Sequence, residues 1–166
     1  NFRKQPNIVI DSRDEIMDLI LIKYENNIDF DREIDFLKKI SNEDDATKFE
    51  KIMILNNDSF KGFTNLKNIF GNESNAYLKT TINNNQGSLL SNIILPYLDV
   101  SPSTENNIID NQVLLLKKIS KELENKNIQK VFEDMKSINN YKIIFPESLI
   151  EINKYNKFTD ALDNIN

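Results

Sequence analysis

Apolar residues recur mostly three and four positions apart along this chain, the spacing that places side chains on one face of an α-helix. Alternation of apolar and polar residues, which is typical of half-buried strands, is weak throughout. The longest segment with helical spacing predicts a helix over residues 107–125. The segment after it has almost ideal helical spacing, with Ile128, Val131, Phe132, Met135 and Ile138 on one face. The pattern therefore predicts an all-α protein of about eight helices, either a compact multi-helix bundle or an irregular helical-hairpin array.

Polar residues and glycine mark several predicted helix boundaries. Ser12 and Glu15 have the spacing of a capping box, in which both side chains accept hydrogen bonds from backbone amides. Asp31 is placed as the cap of the next helix, and Gly71 as the residue that stops a short helix over residues 63–70. These signals favour short connections between antiparallel neighbours.

A competing interpretation makes residues 8–10, 51–55 and 141–145 the strands of a small α/β sheet. Under the all-α interpretation, residues 1–166 form a single helical domain. Its one candidate internal junction lies near residues 101–106, where Pro102 stands among small polar residues. No fixed repeat period with matching positions is present, which excludes a signature-bearing repeat array.

Composition excludes several kinds of chemistry. The 166 residues include no His, no Cys and only three Gly, so the sequence offers no cysteine nucleophile, His general base, His/Cys zinc site or Gly-rich phosphate loop. The net charge of −5 argues against a nucleic-acid partner, which needs a basic surface. An excess of 26 Asn, 24 Ile and 18 Lys indicates the codons of an AT-rich organism rather than a function. No cofactor and no metal are predicted.

No run of apolar residues approaches the ~20 that a transmembrane helix needs. The sequence begins with Asn1 rather than Met, so it is compatible with the removal of an N-terminal signal by processing. The compartment is therefore left open between the cytoplasm and an extracytoplasmic location.

A weakly charged middle segment is the candidate partner-binding region. Residues 51–100 carry only three acidic and four basic side chains, and protein interfaces are depleted in charge and enriched in aromatic residues at their centre. The alternative is that these aromatic side chains belong to an ordinary core. The predicted contact residues, drawn from residues 60–98 and supported by the helix over 107–125, are Phe60, Phe63, Phe70, Tyr77 and Tyr97.

Two charged groups have a functional and a structural interpretation. Asp11, Asp14, Glu15 and Asp18 either bind a cation or supply acid–base carboxylates, or they are the solvated first turn of a helix. A calcium loop beginning at Asp29 fails, because its twelfth position is Ile40 rather than Glu.

The second group consists of Lys117, Lys118, Lys121 and Lys130, which either face an acidic partner or form the solvated side of a helix. In the latter case Lys118 with Glu122, or Lys121 with Glu124, has the spacing of a local ion pair.

These observations predict a non-enzymatic α-helical module that binds a protein partner and acts as a scaffold. Two alternatives remain open at this point. One is a secreted or surface-exposed helical protein of a pathogen or commensal that contacts host molecules. The other is a carboxylate-based enzyme, since Asp and Glu are the acid–base side chains that the sequence contains in number.

Overall fold

The computed structural model describes residues 13–41, 46–57, 60–84 and 107–165. Within these ranges the chain forms eight helices and no strand, which confirms the all-α prediction. In chain order the helices are α1 (Arg13–Glu25), α2 (Asp31–Ile40), α3 (Ala46–Asn57), α4 (Gly62–Asn84), α5 (Asn107–Glu124), α6 (Ile128–Lys136), α7 (Tyr141–Ile144) and α8 (Pro146–Asp163).

The chain divides into two packed units. The first comprises Asn1–Gly62 and Lys154–Asn166, and the second comprises Phe63–Asn153. The boundaries thus fall at the start of α4 and within α8. The single-domain prediction and its junction near residues 101–106 stay predictions, and that junction lies outside the described residues.

In the first unit, α1, α2 and α3 pack in sequence, and the end of α8 completes the core. The ion pair between Lys23 Nζ and Glu33 Oε1, at 2.7 Å, joins α1 to α2. Spacing of i, i+3 and i+4 along each helix gathers the apolar residues on the inner face. The buried aromatic and aliphatic side chains of this unit include Ile16, Ile20, Tyr24, Phe30, Ile34, Leu37, Phe49, Ile52, Phe60, Phe158 and Leu162.

In the second unit, α5 and α6 form a helical hairpin. The Asn127 side chain caps α6 by accepting a hydrogen bond from the Lys130 amide. The predicted face of α6 is confirmed with one adjustment, because Phe132 is half-buried whereas its four partners are buried.

α4 corrects one predicted boundary. Gly71 does not end a helix there, since α4 continues through it for 23 residues to Asn84. A glycine inside a helix costs about 1 kcal/mol relative to Ala, and the burial of the Phe70 and Leu78 side chains on either side compensates for it. Gly62, the first residue of α4, has a φ of +85°, a backbone conformation that disfavours any residue with a Cβ atom.

Three smaller predictions also change. Asp31 is the first residue of α2 and not its cap, which is Phe30 without a side-chain hydrogen bond. The segments proposed as strands at residues 51–55 and 141–145 lie in α3 and around α7, so that alternative is wrong for them. The capping-box residue Ser12 and the strand proposed at residues 8–10 lie outside the described residues.

Candidate protein-interaction site

The structure places most of the predicted contact residues in the interior. Phe60 is fully buried, Phe63 and Phe70 are 6% and 3% exposed, and Tyr77 is half-buried. Tyr97 lies outside the described residues. In the second unit, Phe70 and Tyr77 both pack against the ring of the buried Phe145. Burial gives the three Phe side chains a packing role, and the partner contact predicted for this set stays a prediction.

An aromatic cluster forms the centre of the first unit. The rings of Tyr24 and Phe158 stack at 3.6 Å between centroids, and Phe30 meets both rings edge-on. Phe60 packs between Tyr24 and Tyr155, at 5.8 Å and 5.4 Å. Such pairs add about 0.5–1.5 kcal/mol each to the stabilisation from burial. The cluster therefore fixes the end of α8 against α1, which positions the cleft described below.

A hydrogen bond between a tyrosine and a glutamate borders this cluster. The Tyr155 hydroxyl donates to Glu25 Oε1 at 2.9 Å, and Glu25 is only 9% exposed. Burial, and then the hydrogen bond and the negative charge of Glu25, raise the pKa of Tyr155 above its ordinary value of 10. The neutral, donating form of Tyr155 is thus the one that the fold stabilises.

The raised pKa of Tyr155 predicts a stability loss at high pH. Above pH 10 the unfolded chain releases the phenol proton while the folded chain keeps it, so the free energy of unfolding falls as pH rises. The Tyr155→Phe variant has no phenol proton at this position, so its free energy of unfolding lacks this dependence on pH. We expect the variant to be about 1 kcal/mol less stable than wild type at pH 8, with the difference shrinking above pH 10. Denaturant unfolding from pH 8 to 11 measures both, and a constant difference across that range would contradict the assignment.

An open cleft with an apolar floor lies between α1 and the end of α8. Its volume is about 270 Å³, and Met17, Leu21 and Leu162 form the floor. Leu21 is half-buried, whereas Met17 and Leu162 are 6% and 4% exposed. At the rim are three carboxylates, those of Asp14, Asp18 and Asp163. We call this feature the acid-rimmed cleft, and all six of its residues belong to the first unit.

Helical spacing explains why α1 supplies four of these residues. Asp14 and Asp18 are four positions apart and form one row on the helix surface, while Met17 and Leu21 form a parallel row beside it. Leu162 and the last residue of α8, Asp163, face these rows. The guanidinium of Arg13 donates a hydrogen bond to the Ile165 carbonyl, which holds the chain after α8 next to the start of α1.

A metal site at this rim would need a definite geometry. A bound Ca²⁺ or Mg²⁺ needs several oxygen ligands that converge on one point within about 2.0–2.6 Å. Within the described ranges, no group of three or more acidic side chains is placed to hold a metal ion.

A second, smaller cleft of about 150 Å³ also lies in the first unit. Tyr24 and Phe60 form its base, while polar Asn27, Asp29 and Asn56 surround the opening together with Ile28. Because both aromatic rings are almost completely buried, this cleft offers a ligand mainly polar contacts.

The lysines of α5 and α6 pair across the helical hairpin. Lys118 Nζ lies 2.7 Å from Asp134 and Lys130 Nζ lies 3.8 Å from Glu122. These pairs differ from the local ones predicted within α5, because the packing of α6 brings its own side chains alongside. The two lysine side chains are about half exposed, which favours the interpretation of a solvated helix side.

The comparisons with known proteins supply no relative, since no family model, no curated protein and no solved structure matches this chain. Of the described helices, none is both long enough and apolar enough to cross a bilayer.

Sequence reasoning singled out two of the six residues that line the acid-rimmed cleft. The acidic set singled out at the start of α1 contains Asp14 and Asp18, but Glu15 is not among the lining residues and Asp11 is not described. Met17 and Leu21 were not predicted as site residues. Leu162 and Asp163 were missed for a further reason. They lie about 145 positions further along the chain, and helical periodicity carries no signal for a contact between distant helices.

Proposed function

We propose that this chain is a non-enzymatic α-helical interaction module that binds a protein partner through the acid-rimmed cleft. The observation that carries the proposal is one open cleft with an apolar floor and a charged rim on the surface of the first unit. Interfaces commonly combine these two parts, since burial of apolar side chains supplies affinity and the polar rim supplies specificity.

The size of the cleft supports a macromolecular partner. Sites for small organic ligands usually enclose about 300–1,000 Å³ and bury most of the ligand. The acid-rimmed cleft is below that range and open to solvent. It suits one or two side chains that project from a larger surface.

The exposure of the carboxylates favours binding over acid–base catalysis. Asp14, Asp18 and Asp163 are all exposed side chains. Glycosidase-type chemistry places its proton-donating carboxyl in an apolar, enclosed environment. A contact rim, in contrast, needs carboxylates that an approaching partner can reach.

Filling the cleft tests the proposal. Leu21→Trp places an indole over the floor without changing charge, and the half-buried position can accommodate it. The matched control is Ile22→Trp, since Ile22 is 54% exposed on the same helix and does not line the cleft. Partners captured from an extract of the source organism are identified by mass spectrometry, purified and titrated by calorimetry.

We expect Leu21→Trp to weaken the binding of the purified partner at least about tenfold, which corresponds to about 1.4 kcal/mol. Ile22→Trp is expected to bind as wild type does. Equal affinities for the wild type and both variants would overturn the proposal. Circular dichroism melts of the variants establish that a loss of binding is not a loss of fold.

A further inference from the structure

The arrangement of charge around the apolar floor restricts what the acid-rimmed cleft can accept. Its six described lining residues include three carboxylates and no basic side chain. Among the described residues, none of these three carboxylates forms an ion pair within 4.0 Å. A partner that brings positive charge to this rim therefore meets a complementary surface.

Two electrostatic interactions of these carboxylates are unfavourable for the isolated fold. Asp18 lies four positions after Asp14 on α1, and like charges at this spacing repel each other. Asp163 ends α8, where the negative end of the helix dipole disfavours an anionic side chain. A cation bound at the rim offsets both interactions. Its binding therefore also stabilises the fold electrostatically.

We propose that the occupant of the acid-rimmed cleft is an arginine side chain presented by the partner protein. This inference rests on the proposed function and names the chemistry of the partner. The methylene stem of arginine packs on apolar surface while its head group stays polar, which matches the row of Met17 and Leu21 beside the row of Asp14 and Asp18. Its planar guanidinium has five donors and bonds to more than one carboxylate at once.

The size and layout of the cleft favour this occupant over a metal ion. The volume of about 270 Å³ exceeds the space that a single ion fills, and the described carboxylates do not converge on one point. A guanidinium distributes its charge over three nitrogens and reaches oxygens that lie apart.

The test uses n-butylguanidinium as a probe and n-butylurea as its neutral counterpart of the same shape. Each is titrated into the protein while NMR follows the methyl groups of Met17, Leu21 and Leu162. We expect saturable shifts of these methyls with n-butylguanidinium, at least tenfold weaker binding of n-butylurea, and weakening by added salt. Equal binding of the two probes, or no shift of these methyls, would overturn the proposal.

Neutralising the rim provides the matched comparison. The variant D14N/D18N/D163N keeps the shape of the cleft and removes three charges, and D31N/D35N/D160N removes three exposed charges elsewhere in the first unit. Only the first is expected to lose n-butylguanidinium binding. An equal loss in both would attribute the binding to net charge and contradict a defined site.

The two proposals fail in different ways. If Leu21→Trp weakens binding of the protein partner but the two probes bind with equal affinity, the proposed interaction module stands and the arginine occupant is wrong. If n-butylguanidinium binds at the rim but Leu21→Trp leaves the protein partner unaffected, the cation site stands and the proposed function at this cleft is wrong.

Discussion

Replacement of Phe158 by Ala is expected to destabilise the first unit by about 3–5 kcal/mol, the range measured when a buried aromatic side chain is truncated in a core. Phe158 is fully buried and its ring contacts both Tyr24 and Phe30. The substitution removes the stacked pair and leaves a cavity between α1 and α8. Because α8 also supplies Leu162 and Asp163, we expect the geometry of the acid-rimmed cleft to be lost together with this stability.

Denaturant unfolding followed by circular dichroism measures the effect of Phe158→Ala. The near-ultraviolet signal, to which all five tyrosines contribute, reports on the packing around the aromatic rings. Phe36→Ala is the control, because Phe36 is 45% exposed on α2 and its truncation creates no cavity. The control is expected to change the free energy of unfolding by no more than about 0.5 kcal/mol. A Phe158→Ala protein within about 1 kcal/mol of wild type would contradict the central role of the aromatic cluster.

Much of the secondary structure follows from the sequence, because helical periodicity is a local signal. The helix predicted over residues 107–125 agrees with α5, which ends at Glu124. The chain around Gly71 was divided wrongly for a physical reason. The sequence shows the intrinsic cost of glycine in a helix, about 1 kcal/mol, but not the burial of Phe70 and Leu78 that outweighs it.

For the predicted contact residues, the sequence pattern fits two interpretations equally well. A low density of charge together with aromatic side chains is typical of an interface, and it is equally typical of a core. Phe60 and Phe63 lie in such a segment and are buried. Only the packing of α4 and the chain before it distinguishes the two interpretations.

The acid-rimmed cleft needs information that one helix does not contain. Asp14 and Asp18 stand out in the sequence as an acidic row, but their role depends on Leu162 and Asp163 of a helix at the other end of the chain. The aromatic stack of Tyr24 on Phe158 brings these two helices together. The site is thus a consequence of tertiary packing, which periodicity does not encode.

Removal of the Glu73 carboxylate is expected to destabilise the second unit by about 2–3 kcal/mol, because it caps a helix that begins 73 residues later. Glu73 on α4 accepts hydrogen bonds from the backbone amides of Glu147 at 2.8 Å and Ser148 at 3.2 Å, and from the Ser148 hydroxyl. These amides belong to the first turn of α8, where no carbonyl within the helix is available to them. The charge also interacts favourably with the positive end of the helix dipole.

The predicted size of this effect depends on burial. Ser148 is fully buried, so Glu73→Ala leaves its hydroxyl without the acceptor that the fold provides, and a buried polar group that loses its partner costs about 1–3 kcal/mol. Glu73→Gln keeps one carbonyl acceptor and is expected to lie between wild type and Glu73→Ala. Denaturant unfolding measures stability, and hydrogen exchange at the amides of residues 147 and 148 reports on the cap itself. The control is Asn72→Ala, at the exposed neighbouring position on α4, and equal effects of the two Ala variants would mean that Glu73 acts as an ordinary surface residue.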